Sequence, residues 1–136
     1  MATDEIKYVS FEEAVRIHFG LMMRLSEVRY GIDSRDLVES ALARPKHSAV
    51  YENADIIRQA ATLLFGLVKN HPWTGGNKRT ATTILRRFPE LNDYQKNWTI
   101  AEQIELVLKV ESDAWKVDEI ENWLQSRVEK IIELEK

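Results

Sequence analysis

His71–Ala81 reads HPWTGGNKRTA. One imidazole is followed by a turn with two glycines, Gly75 and Gly76, and then by Asn77, Lys78 and Arg79 at the start of an apolar, helix-like run. That order suits a phosphate. A general base stands at the lip, a flexible backbone can close around an anion, and cationic side chains lie where a helix points its free N–H groups. Taken singly these residues decide little. A histidine just past a helix C-terminus often only caps carbonyls, and glycine-rich turns before helices are common. The run of His71, Gly75, Gly76, Asn77, Lys78 and Arg79 together carries the reading.

Outward from this turn the sequence reads as helices. Upstream, Ile56, Ile57, Ala60, Ala61, Leu64, Phe65, Leu67 and Val68 occupy more than one helical face, which predicts a central third helix running from an Asn53 cap to about Asn70. Downstream, a fourth helix starts at Asn77 and is expected to stop at Pro89, with small Thr80, Ala81, Thr82 and Thr83 in its first turns. Ser10 and Glu13 have capping-box spacing and predict a first helix over Phe11–Arg29, closed by Gly31. A short second helix over Ser34–Ala43 should end before Pro45, leaving Arg44–Asn53 as an exposed loop. After the polar segment LNDYQKNW, Thr99 and Glu102 open a fifth helix to Glu111, and Ile120, Trp123, Leu124, Val128, Ile131 and Ile132 mark a last one. Trp98, Trp115 and Trp123 read as core or helix-end anchors, and His18 and His47 have no partner visible in sequence.

With 136 residues, 44% of them hydrophobic, and few glycines and prolines, the chain fits one compact all-α domain spanning 1–136. The absence of cysteine excludes disulfides and thiolate metal sites. No apolar run approaches membrane-spanning length, and no signal-peptide core follows the first residues, so a soluble, cytoplasmic protein without membrane attachment is expected. A net charge of −3 gives no support for direct nucleic-acid binding, against which the cluster Lys78, Arg79, Arg86 and Arg87 stands out.

HPWTGGNKRTA resembles the signature of the Fic/Doc superfamily, most closely the Doc (death-on-curing) branch. LVESALARP (Leu37–Pro45), AATLLFGLVKNHP (Ala60–Pro72) and ELNDY (Glu90–Tyr94) are also similar to the Doc pattern in order and spacing, so that the resemblance covers about residues 8–124. It implies a compact six-helix domain with the active-site loop between the third and fourth helices. It implies a toxin of a toxin–antitoxin pair that moves the γ-phosphoryl group of ATP onto a hydroxyl of a target protein, elongation factor Tu in the family's characterised case. The implied partners are that target and a cognate antitoxin whose disordered segment folds onto the toxin. Fic relatives instead transfer AMP or another nucleotide and carry Gly where this chain has Lys78, which favours phosphoryl transfer here.

Carried over residue by residue, His71 is the implied general base, Asn77 a phosphate ligand, and the amides at Gly76 and Asn77 an anion nest. Lys78 and Arg79 would neutralise charge on the transferring group. Trp73 fills the family's Phe position and reads as an anchor of the turn. Arg44–Asn53 would be the flap that pairs with the target segment, or else a plain connector.

Gly75 departs from the pattern. The family has Asp or Glu there, the carboxylate that holds the Mg²⁺ bridging the phosphates, and losing it should slow transfer by roughly 10²-fold or more. Three accounts stand open: an impaired enzyme, a metal held by another carboxylate such as Glu52, or an inactive member that acts through antitoxin binding. On the first of these, Gly75→Asp is expected to raise activity.

Overall fold

The computed structural model describes residues 5–132. Among them, six helices and one two-stranded ribbon follow in the order α1 (Phe11–Arg24), α2 (Arg35–Glu52), α3 (Ile56–Asn70), α4 (Asn77–Leu91), β1 (Tyr94–Lys96), α5 (Ile100–Glu111), α6 (Val117–Gln125) and β2 (Val128–Lys130). The all-α reading therefore holds, with the HPWTGGNKRTA turn between the third and fourth helices.

α3 is the central rod. Ala60, Ala61, Leu63, Leu64 and Leu67 are all buried, and α2, α4, α5 and α6 pack around them. A helix apolar on most faces has nowhere to expose them, which is why its neighbours enclose it. Its N-terminus is capped by Asp55, whose carboxylate accepts from the Arg58 N–H at 2.9 Å. Asn53, expected as that cap, instead closes α2 in a left-handed conformation at φ 55°. The Thr99–Glu102 capping box of α5 forms as predicted, with bonds of 2.9 and 3.1 Å. Only half of the first expected box forms. Ser10 accepts from the Glu13 N–H, while the Glu13 carboxylate turns to Arg87 at 2.6 Å.

The largest difference from the sequence reading is α2. It runs straight through Pro45, so Arg44–Asn53 is helix for all but its last residue, neither loop nor flap. Its buried stripe is Val38, Ala41, Pro45 and Ser48, a helical spacing built from small side chains that leave no apolar signature. Packing against α3 overrides the helix-breaking tendency of X-Pro, and the Ser48 hydroxyl donates to the Pro45 carbonyl at 2.7 Å.

α1 is shorter than predicted. It closes at Arg24 with Ser26 in the left-handed region and the Glu27 N–H bonded back to the Met22 carbonyl at 2.9 Å, a Schellman-type end without glycine. α4 in turn runs past Pro89 to Leu91, with Pro89 buried in its last turn. The expected final helix stops at Gln125, and Val128–Lys130 pairs antiparallel with Tyr94–Lys96. Trp98 and Trp123 are buried against each other, ring centroids 5.3 Å apart, as anchors of this end.

Candidate functional site

Residues 25–34, which leave α1 early, form a strap across the glycine turn. Ile32 and Trp73 make an antiparallel bridge, with the Thr74 N–H donating to the Gly31 carbonyl at 2.8 Å and the Asp33 N–H to the Pro72 carbonyl at 2.9 Å. The Thr74 hydroxyl adds a bond to the Asp33 carboxylate at 2.8 Å. Behind the turn, His18 is fully buried. Its Nδ1 meets the Thr80 hydroxyl at 2.8 Å, and its Nε2 accepts from the Gly31 N–H at 3.1 Å. One imidazole thus ties α1, α4 and the strap together. Because Nε2 accepts, the ring is neutral with its proton on Nδ1, and burial holds its pKa down at about 4. Sequence reasoning gave His18 no role. No local pattern marks a residue whose partners lie 13 and 62 positions away.

Between strap and turn lies a cleft of about 380 Å³, lined by Met22, Leu25, Glu27, His71, Gly75, Gly76, Asn77, Lys78 and Arg79. The motif residues His71, Gly75, Gly76, Asn77, Lys78 and Arg79 are all gathered here. Glu27 is the addition, brought in by the strap.

His71 serves as the C-cap of α3 with φ 50° and ψ 53°. The ring does not cap helix carbonyls: its one hydrogen-bond contact among the described residues is with Asn77, and the residue lines the cleft. A left-handed histidine stores roughly 1 kcal/mol of strain or more, of the kind that persists where function holds it. Asn77 locks the loop: its Oδ1 accepts from the Trp73 N–H at 2.9 Å and its Nδ2 donates to the Trp73 carbonyl at 2.7 Å. The Trp73 N–H can only donate, so the amide orientation is settled, and Nδ2 faces His71 Nδ1 at 3.3 Å. Nδ1 therefore accepts and Nε2 carries the proton. For the ring to act as a base, this contact must break or the proton must move between nitrogens. Asn77 was expected to bind phosphate, but its side chain is committed to loop closure. Its backbone N–H remains for an anion.

That N–H belongs to a set. The N-cap of α4 is Gly76, at φ 64°, and no side chain caps the helix. The first-turn amides of α4 are left for a ligand in a helix of fifteen residues. Lys78 reaches away to Glu111 at the end of α5, 3.2 Å from both carboxylate oxygens. With side chains 51% and 39% exposed, such a pair contributes only about 0–1 kcal/mol, so an arriving polyphosphate can compete for the ammonium. Arg79 is exposed beside it.

Metal ligation does not fit the motif. Gly75 sits at φ +82°, and a Cβ there would lie 2.8 Å from the Arg29 carbonyl oxygen. A side chain at this position, as in Gly75→Asp, would therefore press on the strap backbone and hold an unfavourable φ. Glu52, the alternative carboxylate, lies outside the cleft, 3.3 Å from the Arg58 guanidinium. Among the described residues no group of three or more His, Asp or Glu side chains could hold a metal ion.

Arg86 and Arg87 also lie outside the cleft and pair with Glu90 and Glu13. No helix among the described residues is long and apolar enough to cross a membrane.

A family model, the Fic/DOC family, matches residues 8–88, which takes in the strap, the motif turn and α4 as far as Phe88. The chain belongs to that family, and with it has a Fic-type transferase fold. No curated protein matches the chain.

Proposed function

We propose that the chain is a Doc-type phosphotransferase, the toxin of a toxin–antitoxin pair, which moves the γ-phosphoryl group of ATP onto a hydroxyl of a target protein. The observation that carries this reading is the cleft itself, where His71, the uncapped start of α4, Lys78 and Arg79 converge. Chemistry of this kind rests on positioning and on cationic stabilisation of the transferring group. Lys78, in place of the glycine that leaves room for a nucleotide's α-phosphate, favours phosphoryl over AMP transfer. The bond that breaks lies between the β–γ bridging oxygen and the γ-phosphorus. The bond that forms joins that phosphorus to the target oxygen, whose proton passes to His71. ADP leaves. Elongation factor Tu is the target that the family resemblance implies, and a folding-on-binding antitoxin segment the implied inhibitor.

Incubation of the protein with elongation factor Tu and ATP labelled at either the γ or the α phosphorus tests the proposal. Label transferred from the γ position, and lost in His71→Ala, is the expected result. Transfer from the α position alone would make the chain a nucleotidyl transferase instead.

A second reading has its own observation. Position 75, where the motif has its metal carboxylate, is a glycine crowded by the Arg29 carbonyl, which favours a slow or non-catalytic member that keeps the ligand cleft and binds antitoxin. Binding of antitoxin peptide with no transfer of either label supports that alternative.

A further inference from the structure

The glycine at position 75 has a cause in the fold. The Arg29 carbonyl oxygen points at it, 2.8 Å from where a Cβ would stand, with the carbonyl carbon at 3.8 Å. That carbonyl cannot easily withdraw, because the strap is fastened on both sides of it. On one side the Glu27 N–H is bonded to Met22; on the other Gly31 receives the Thr74 N–H and donates its own to buried His18. The left-handed φ adds a second penalty for any side chain. Position 75 is therefore reserved for glycine by the strap's closeness to the turn.

The donors that remain do not replace the lost carboxylate. Magnesium takes near-octahedral oxygen coordination, and nucleotide sites commonly hold it through one or two carboxylates plus phosphates. Glu27 is the one carboxylate among the lining residues, and the Asn77 amide is spent on Trp73 and His71. The cleft instead offers Arg79, the open amides of the α4 N-terminus and Lys78, whose ammonium must leave its exposed pairing with Glu111 to meet a phosphate.

We infer that this cleft binds a nucleotide's phosphates directly, without a divalent cation, and that Glu27 opposes that binding. The inference rests on the proposal that the cleft is a nucleotide site. Phosphate charge is met by protein cations and amide dipoles, so removing the metal takes nothing from the ligand's contacts. The Glu27 carboxylate is then a like charge beside the ligand, whereas a metal ligand at the same place would have the opposite effect.

Calorimetric titration of the full chain with ATP, once with excess Mg²⁺ and once with excess EDTA, tests it. Dissociation constants agreeing within about threefold are expected, and binding at least about tenfold tighter with Mg²⁺ overturns the inference. Absence of binding under both conditions sinks the nucleotide reading of the cleft, and this inference with it. Glu27→Gln should tighten metal-free binding about twofold or more, and weaker binding in that variant counts against the role given to Glu27. Gly75→Ala and Gly75→Asp should each lower the melting temperature by about 5 °C or more. A Gly75→Asp protein that melts unchanged would show the strap does not reserve this position.

Discussion

The imidazole of His18 lies flat against the indole of Trp73, ring centroids 4.5 Å apart and planes 16° from parallel. The pair joins α1 to the motif turn directly behind the cleft. Both side chains are essentially inaccessible to solvent. The position of the turn is thus set by packing from behind, and the residues facing the cleft are left for the ligand.

Trp73 carries a flaw in this arrangement. Its Nε1 is the one buried side-chain nitrogen or oxygen left without a hydrogen-bond partner among the described residues. An unmet buried donor costs about 1–3 kcal/mol. Trp73→Phe removes the donor and keeps the stacked ring, so the gain offsets the lost volume, and stability should stay within about 1 kcal/mol of the parent. Trp73→Ala should cost about 3–5 kcal/mol. Denaturant titration compares the two, and equal losses would contradict the account.

His18 gives stability a defined pH dependence. Its pKa falls from 6.5 to about 4 on folding because the buried ring resists charge. Between these values the unfolded chain holds a proton that the folded chain does not. This contribution is complete above pH 6.5 and declines as the pH drops toward 4, by up to about 1.4 kcal/mol per unit. Urea unfolding from pH 7 to pH 5 should show a shallower slope in His18→Gln than in the parent. Identical slopes would assign the acid sensitivity elsewhere.

His71 should separate function from stability. It holds a left-handed backbone conformation that Asn tolerates better. His71→Asn is therefore expected to fold with a stability within about 0.5 kcal/mol of the parent, or above it, while transfer is abolished. Melting and label-transfer assays on one preparation would check both halves.

Asn77→Ala should damage both properties. Two hydrogen bonds to the Trp73 backbone and the contact to His71 disappear together. The expected loss is about 2–3 kcal/mol, with a disordered motif turn reported by loss of nucleotide binding. A stable variant with normal affinity would show that the glycine turn holds its shape unaided.

Glu52 provides the contrast. Its carboxylate belongs to an ion-pair cluster in which Arg58 on α3 also meets Asp118 at 2.5 Å and Glu121 at 3.0 Å on α6. These carboxylates raise the guanidinium's pKa, Asp118 most strongly. Glu52→Gln should leave nucleotide affinity unchanged and shift stability by less than about 0.5 kcal/mol, since Glu52 is half exposed and the other two partners remain. Arg58→Met, which strips the cluster of its cation, should cost more. Any loss of affinity in Glu52→Gln would return that residue to the site.

The sequence alone determined what depends on neighbours within a turn or two. The apolar faces of α3, the Thr99 cap and the order His71, Gly76, Asn77, Lys78, Arg79 are local patterns, and each stands where it was read. Only the tertiary structure decided the rest. Helix α2 continues through Pro45 because a small-residue stripe, invisible to hydrophobic periodicity, finds a partner in α3. Chain segments far apart in sequence pair as β1 and β2. Lys78 turns to Glu111, His18 reaches Thr80, and the Arg29 carbonyl arrives at Gly75. Those contacts join residues with no shared period, so nothing in the local sequence encodes them. The missing carboxylate was visible as a gap in the motif. That a backbone carbonyl from elsewhere in the chain crowds the same glycine became visible only once the strap was folded over the turn.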